Sequence, residues 1–374
     1  MSSRIKIIES RNWFLKQGDQ IDEAQIYNIN YHKRQPQTKF ECPSTFVCEF
    51  NNIKAHTLPF LITEDNEILS DHIWPILSKF KAKPHKHGLW TNPWNQKNRS
   101  TIDVKIPEVT KNFNETDTYV WLPIDKESAG NPWHIWIDMI SKMRLIEKRY
   151  AVDWRNKIAI LPNKSAYFDK VARHCFPDLK YYVMPQNSTW RFKHLLVPSM
   201  SNAHDGITNG DMVRWLRHKF APKITKKPFR KLWISRKNAV ARNVIDEEKF
   251  FMLLKGWEFV QLEKLPVGEQ MQLFAEAKSI IAPHGAGLTN LLWCAPDTKV
   301  LEFQRETMLS KKVYPVLASH LELKFTTDCP SIQRGELLPN GQKPAGVKRL
   351  NDLFEFKFGW IWLANSIKKA NIEI

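Results

Sequence analysis

In the C-terminal half of the chain, short apolar runs alternate with segments whose apolar residues recur at helical spacing. Apolar runs bounded by turn residues predict buried strands, and the three-to-four-residue period predicts helices. The predicted strands are Lys231–Ser235, Trp257–Gln261, Ser279–Ala282 and Lys299–Phe303. The predicted helices are Asp246–Leu254, Pro266–Ala277 and Leu288–Cys294. Strands and helices that alternate in this way are typical of α/β proteins with a parallel, doubly wound sheet.

The same alternation, less regular, precedes this half. Strands are predicted at Tyr119–Leu122, Lys157–Leu161, Lys180–Met184 and Leu195–Val197. Helices are predicted at Trp133–Leu145, Tyr167–Cys175 and Asp205–Phe220. A basic, proline-containing loop follows at Ala221–Pro228, and we place the domain boundary in the region 200–228. The pattern predicts an N-terminal domain over residues 1–200 and a Rossmann-like domain over residues 201–349.

The two ends of the chain are less regular. Residues 1–115 are rich in Asn, Lys, His and Pro, with short apolar runs such as Thr45–Phe50 and Leu58–Ile62. They predict irregular structure with accessory strands. The tail, residues 350–374, mixes Phe, Trp and Lys. We favour a tail helix that packs across the domains, and the alternative is a surface that lies on a membrane.

The chain is strongly basic, with a formal charge of +17 over 374 residues. That charge suits a solvated enzyme surface, an anionic ligand, an anionic membrane or nucleic acid. Nucleic acid ranks last because no zinc-finger spacing or RNA-recognition signature occurs. Met1–Leu15 lacks an apolar core of signal-peptide length, and no apolar run reaches the ~18–20 residues of a membrane span. We expect a cytoplasmic protein, with peripheral contact to an anionic membrane left open.

The cysteines are too scattered for a disulfide framework or a zinc ribbon. They are Cys42, Cys48, Cys175, Cys294 and Cys329. A Cys42–Cys48 bridge remains an alternative. Asp-x-Asp, the carboxylate pair that holds a divalent ion on a diphosphate, is absent, and its nearest approximations are Asp65–Glu67 and Glu115–Asp117. We therefore expect no metal and no other cofactor.

One turn points to a ligand. The predicted strand Ser279–Ala282 stops at Pro283 and turns through His284, Gly285, Ala286 and Gly287 into a helix-compatible segment. The first amides of a helix have no intrahelical partner and lie at its positive end. A glycine-rich turn lets a phosphate approach the backbone closely. The turn therefore predicts an anion site, although the glycines have the simpler interpretation of a tight turn.

Charged residues follow the neighbouring strands. Arg236, Lys237 and Arg242 come after Lys231–Ser235, and Glu302 ends the strand Lys299–Phe303. Ligands of open α/β sheets bind beyond the carboxyl ends of the strands. Cations and amides suit a diphosphate, and a carboxylate suits ribose hydroxyls. Taken singly, each could be an ordinary surface residue, but together they predict a site for a nucleoside diphosphate.

Three other phosphate or oxyanion sites fit less well. The turn reads G-x-G-x-x-N, so the third glycine of a dinucleotide-binding fingerprint is missing. The P-loop pattern GxxxxGK[ST] does not occur, and neither does the GxSxG elbow of serine hydrolases.

Several motifs, in this order and spacing, resemble the signature of family-61 glycosyltransferases. Over about residues 228–305 they are Ser235–Arg236 with Arg242, Asp246–Glu247, Glu269–Gln270 with Phe274–Ala275 and Ala277, His284–Asn290, and Val300–Glu302. Earlier, Asn131–His134 with Asp138 is similar to the N-x-x-H-x-x-x-D element of that family. Asp246 departs from the Asn that many relatives have.

The resemblance implies a GT-B architecture, with two Rossmann-like domains facing a cleft and the donor nucleotide in the C-terminal one. It implies inverting transfer, usually from a UDP-sugar, to a hydroxyl of a glycan or glycoconjugate, without an obligatory metal. A xylose or N-acetylhexosamine donor is typical of such relatives. The residues expected to bind the donor are Arg236, Lys237, Arg242, His284, Gly285, Ala286, Gly287, Leu288, Thr289, Asn290 and Glu302.

Inverting transfer needs a base that deprotonates the acceptor hydroxyl. His134 and Asp138 are four residues apart, so on a helix they share a face, and Asp138 could orient His134. We expect His134 to be the base and Asp138 its helper. The simpler interpretation is that His134 caps the helix and Asp138 is a surface group. Two other functions stay open: a catalytically silent nucleotide-sugar or glycan-binding protein on the same fold, and a basic nucleic-acid-binding protein.

Overall fold

In the computed structural model the chain divides into two compact units. The N-terminal unit comprises Met1–Ile26 and Glu41–Met212, and the C-terminal unit comprises Tyr27–Phe40 and Val213–Ile374. The structure describes residues 3–8, 19–22, 25–29, 38–42, 44–57, 60–69, 101–104, 108–114, 117–124, 126, 128–150, 156–199, 208–309, 312–334, 342 and 353–373. The start of the predicted helix Asp205–Phe220, residues 205–207, lies outside these residues.

The N-terminal unit is built on a sheet of eleven described strands. The strands in this part of the chain are β1 (Ser3–Ile8), β2 (Asp19–Asp22), β3 (Gln25–Ile29), β4 (Thr38–Cys42), β5 (Thr45–His56), β6 (Phe60–Ile62), β7 (Glu67–Leu69), β8 (Thr101–Val104), β9 (Val109–Phe113), β10 (Thr118–Trp121), β11 (Lys157–Leu161), β12 (Lys180–Val183) and β13 (Thr189–Pro198). The sheet runs β12-β11-β10-β13-β5-β6-β7-β1-β8, with β2 also on β5 and β9 on β13. Strands β3 and β4 pair separately, and most of their residues belong to the C-terminal unit. Neighbours from β12 to β13 are parallel, as the βα pattern predicts.

The expectation of irregular structure with accessory strands over residues 1–115 is wrong for β5. This strand pairs antiparallel with β13 from His56 opposite Thr189 to Val47 opposite Pro198, in the middle of the sheet. Strand β13 is also much longer than the predicted Leu195–Val197. Its first half alternates buried Trp190 and Phe192 with exposed Arg191 and Lys193, which is the two-residue period of a strand but not an apolar run.

Helical segments connect the parallel strands of this unit. The predicted helix Trp133–Leu145 is present as a π-helical turn His134–Met139, a 3-10 turn Ile140–Lys142 and α1 (Met143–Tyr150). Helix α2 (Ala166–Cys175) begins at Ser165, whose hydroxyl accepts from the amide of Phe168. Both helical segments bury one apolar face, as their periodicity predicts.

The C-terminal unit carries a five-stranded, fully parallel sheet. Its strands are β14 (Arg230–Ile234), β15 (Glu258–Val260), β16 (Ala277–Pro283), β17 (Lys299–Phe303) and β18 (Lys324–Asp328). The helices of this part are α3 (Gly210–Phe220), α4 (Glu247–Leu253), α5 (Val267–Ala275) and α6 (Val313–His320), with 3-10 helices at Leu262–Lys264, Ala286–Trp293 and Glu306–Met308. The strand order is β15-β14-β16-β17-β18. The chain adds β15 on one side of β14 and the later strands on the other side, so the order of strand addition reverses between β14 and β16. Such a switch point, beyond the carboxyl ends of the strands, is where open α/β sheets bind ligands.

The tail folds onto the C-terminal unit. Strand β19 (Ser331–Arg334) pairs antiparallel with β20 (Phe354–Lys357), and α7 (Trp360–Lys369) follows. The buried Leu363 and Ile367 of α7 belong to the same apolar cluster as Trp233 and Phe303 of the sheet. A tail helix is therefore present, and the contacts described for it lie in the core of its own unit.

No disulfide joins the five cysteines, all of which lie in the described part of the chain, so the alternative of a Cys42–Cys48 bridge is wrong. The Cys42 thiol instead donates to the carbonyl of Thr208, 3.2 Å away. Among the helices that the described residues form, none is both long enough and apolar enough to span a bilayer.

Candidate functional site

A buried carboxylate holds the loop that follows β14. Glu247 accepts hydrogen bonds from Trp233 Nε1 at 2.6 Å and from Ser235 Oγ at 2.7 Å. The same Ser235 Oγ accepts from the amide of Lys237, 3.1 Å away. Burial raises the pKa of Glu247 above its ordinary value, although the two hydrogen bonds oppose the shift. In the sequence Glu247 is only one residue of a motif, and the structure gives it a role in fixing this loop.

Arg236 is a half-buried cation of this loop. Its Nε and Nη2 donate to the carbonyl of Ala241 at 3.3 and 3.2 Å. Burial, reinforced by the nearby charge of Arg242, lowers the pKa of Arg236 to about 10. Among the described residues, no carboxylate forms an ion pair with it. A guanidinium in these surroundings gains most from an anionic ligand.

Lys237 and Arg242 are placed differently from each other. Lys237 is exposed and forms an ion pair with Glu248. Arg242 is half-buried, has a left-handed backbone with φ of 64°, and donates its amide to the carbonyl of Phe354 at 2.6 Å. A left-handed backbone is strained for a residue other than glycine, so the surrounding fold must hold Arg242 in this conformation. The same fold therefore sets the direction of the Arg242 side chain.

The turn after β16 presents backbone amides. The segment that follows it is a 3-10 helix, Ala286–Trp293, in place of the predicted helix Leu288–Cys294. Its first bond is from the amide of Leu288 to the carbonyl of Gly285, 2.9 Å away. In the described part of the chain, the amides of Gly285, Ala286 and Gly287 therefore have no acceptor. Three adjacent amides without acceptors are a cradle for an anion.

His284 and Glu302 form a pair at this edge of the sheet. Nδ1 of His284 lies 2.6 Å from Oε1 of Glu302, and Thr327 Oγ1 donates to Oε2 at 3.1 Å. Glu302 is only 2% exposed, so both of its oxygens are used inside the protein. The ribose contact expected for Glu302 does not agree with this burial. The geometry instead supports a role in orienting His284.

The last residues of the predicted donor set form the support of the turn. Leu288, Thr289 and Asn290 are all buried. Asn290 Nδ2 donates to Gln270 Oε1 at 3.1 Å and to the Gly287 carbonyl at 3.2 Å. Its Oδ1 accepts from Trp293 Nε1 at 3.2 Å. Within the turn, the amides of residues 285–287 are therefore the part available to a ligand.

His134 and Asp138 form the expected pair in the N-terminal unit. Nδ1 of His134 lies 2.5 Å from Oδ2 of Asp138, and their side chains are 21% and 29% exposed. Both lie on the π-helical turn, a rare conformation that is frequent at functional sites. Asn131, and not His134, caps this segment, because its Oδ1 accepts from the amide of Trp133 at 3.0 Å. The interpretation of His134 as the cap is therefore wrong.

In the part of the chain that the structure describes, His, Cys, Asp and Glu side chains nowhere gather in threes that could hold a metal ion.

The chain was also compared with known proteins. No curated protein matches it. A stretch that contains both the His134–Asp138 pair and the turn after β16, residues 133–301, matches the family model described as Glycosyltransferase 61. The match agrees with the resemblance carried by the motifs. It supports glycosyltransferase activity, in which a sugar donor and an acceptor glycan are the substrates. This match supports the family-61 resemblance that the motifs carry.

Proposed function

We propose that the protein is an inverting, metal-independent glycosyltransferase that moves a sugar from a UDP-sugar to a hydroxyl of a glycan or glycoconjugate. The observation that carries the proposal is the position of Arg236 over the turn at Gly285. A Cβ atom at residue 285 would lie 2.1 Å from Nη1 of Arg236. A guanidinium and three amides without acceptors thus meet at the switch point between β14 and β16.

This arrangement suits the diphosphate of a nucleotide sugar. Transfer leaves negative charge on the departing diphosphate, and that charge must be neutralised in the transition state. In the proposal, Arg236 and Arg242 supply positive charge and the turn 285–287 supplies hydrogen bonds, so no metal ion is needed. Glu302 acts through His284, and Lys237 acts at longer range because it is exposed and already paired. The resemblance of the motifs suggests xylose or an N-acetylhexosamine as the transferred sugar.

His134 is the proposed general base. The acceptor oxygen bonds to the anomeric carbon while the bond from that carbon to the β-phosphate oxygen breaks, and UDP leaves with the electron pair. The acceptor proton passes to Nε2 of His134, because Nδ1 is committed to Asp138. Asp138 fixes the ring and stabilises the imidazolium that forms.

A nucleotide-sugar screen tests the proposal. The full chain is incubated with UDP-xylose, UDP-N-acetylglucosamine and other nucleotide sugars, with and without EDTA, and released nucleotide is measured. Release of UDP that EDTA does not affect is the expected result, and the anomeric configuration of a transferred product tests inversion. UDP binding by calorimetry without hydrolysis or transfer would identify a silent binding protein instead. Absence of any UDP binding would overturn the whole proposal.

A further inference from the structure

Tyr314 is a residue that neither the motifs nor the family match includes. It lies on α6, beyond the matched residues 133–301, and is 3% exposed. Its hydroxyl donates to the carbonyl of Gly285 at 2.6 Å. Its ring meets the His284 ring edge-on, with the centroids 5.1 Å apart. A single buried side chain thus contacts two consecutive residues of the proposed diphosphate turn.

The hydrogen bond to Gly285 determines where the next amide points. In a planar trans peptide the carbonyl of one residue and the N–H of the next point in opposite directions. The Gly285 carbonyl is held from one side by Tyr314 and by the amide of Leu288. The N–H of Ala286 must therefore point away from both of these donors. This orientation leaves that amide without an acceptor in the described part of the chain.

The hydroxyl of Tyr314 is suited to this task at neutral pH. Burial raises the pKa of Tyr314, and the nearby charge of Glu302 adds to the shift. The hydroxyl therefore keeps its proton and remains a donor. The charges of Arg236 and Arg242, the cations that the proposed function assigns to the diphosphate, oppose this rise in the pKa of Tyr314 but do not outweigh burial.

We propose that Tyr314 is a positioning residue for the donor diphosphate, which it serves by orienting the Gly285–Ala286 peptide and by holding the His284 ring. The inference rests on the proposed function, since it needs a diphosphate at this turn. Tyr314 itself touches no substrate. Its effect should therefore appear in the part of the affinity that the diphosphate contributes, and not in the part that the nucleoside contributes.

Calorimetry on the full chain with UDP, UMP and uridine tests the inference in the variant Tyr314→Phe. Phenylalanine keeps the ring against His284, and the Gly285 carbonyl keeps its bond from Leu288, so the fold should be retained. Loss of one hydrogen bond to a positioned peptide should weaken UDP binding about fivefold to tenfold. Uridine binding should not change, and the gain in affinity from UMP to UDP should shrink. The matched control is Tyr181→Phe, which removes a tyrosine hydrogen bond to Asp169 in the N-terminal unit and should leave all three affinities as they are.

A second measurement keeps the inference testable if the variant is less stable. Amide hydrogen exchange of the segment 285–288 should be faster in Tyr314→Phe than in the wild type under conditions where both are folded. UDP affinity equal to that of the wild type, or an equal loss for uridine and UDP, would overturn the inference while leaving the proposed function intact. If the wild type binds no UDP, both fall together.

Discussion

The guanidinium of Arg236 occupies the space in which any side chain at position 285 would lie. A Cβ atom built on Gly285 would come within 2.1 Å of Nη1 and 3.0 Å of Cζ of Arg236. The backbone of Gly285 is extended, with φ of 174°, and any residue could adopt it. Glycine is therefore required here by the close approach of Arg236 and not by backbone strain.

Substitution Gly285→Ala should displace Arg236 and weaken donor binding. The clash involves the far end of a flexible side chain, so the free energy of unfolding should change by no more than about 1 kcal/mol. UDP affinity, measured by calorimetry, should fall by about fivefold or more, because the cation leaves the turn. Gly359→Ala is the control, since a Cβ there meets nothing within 4 Å. Unchanged UDP affinity in Gly285→Ala would mean that the placement of Arg236 does not matter.

Arg236→Ala and Lys237→Ala should have unequal effects on the donor. Arg236 is half-buried and forms no ion pair with a described carboxylate, whereas Lys237 is exposed and already paired with Glu248. Loss of a charge-assisted contact from Arg236 should weaken UDP binding roughly tenfold to a hundredfold. The effect of Lys237→Ala should be much smaller, because solvent screens an exposed charge. Equal losses in the two variants would argue for a general electrostatic effect and against a specific Arg236 contact.

His134→Ala should separate catalysis from donor binding. Removal of a general base costs about a hundredfold to ten-thousandfold in turnover, while UDP affinity should stay within about twofold of the wild type. Asp138→Asn keeps the shape of the partner but removes its charge, and it should lower turnover less than His134→Ala does. Steady-state kinetics and calorimetry on the same samples make the comparison. Near-normal turnover of His134→Ala with UDP binding retained would remove His134 from the mechanism.

The stability of the N-terminal unit should depend on Asp22 at acid pH. Burial by itself would raise the pKa of Asp22, but hydrogen bonds from Arg144, Lys148 and Thr45 outweigh it and lower the pKa from 3.8 to about 2. Arg144 and Lys148 lie on α1, so the carboxylate ties β2 to the helix that continues from His134. A carboxyl whose pKa is depressed in the folded state stabilises it above the unfolded value of 3.8 and loses that contribution as pH falls toward 2.

The expected contribution of Asp22 is roughly 2 kcal/mol at neutral pH. Urea unfolding of Asp22→Asn and the wild type should therefore differ by about that amount at pH 7, and the gap should close between about pH 4 and pH 2. Asp19→Asn, on the same strand, is the control: its carboxylate pairs with Arg149 but is 52% exposed, so its effect should be small at every pH. A difference between Asp22→Asn and the wild type that does not change with pH would show that the ion pairs contribute nothing.

The local pattern of apolar and polar residues was sufficient to predict a strand where the strand is one uninterrupted apolar run. The apolar runs at Lys157–Leu161 and Lys299–Phe303 form strands with the predicted bounds. It failed where a strand depends on its neighbour: β5 and the first half of β13 are interrupted by polar residues and become central strands by pairing with each other. It also assigned Glu302 to a ligand, because sequence gives a carboxylate at a strand end but not the burial that joins it to His284 and Thr327.

By itself, the sequence determined the parallel sheet of the C-terminal unit, the glycine-rich turn at its edge and the motifs that resemble glycosyltransferase family 61, because each of these features lies in consecutive residues. Only the tertiary structure decided that β14 lies beside β16, that Arg236 reaches Gly285, and that Tyr314 holds the same turn from α6. Those three relationships join residues that are distant in the chain. Strand order and side-chain packing create them, and neither is visible in a local pattern.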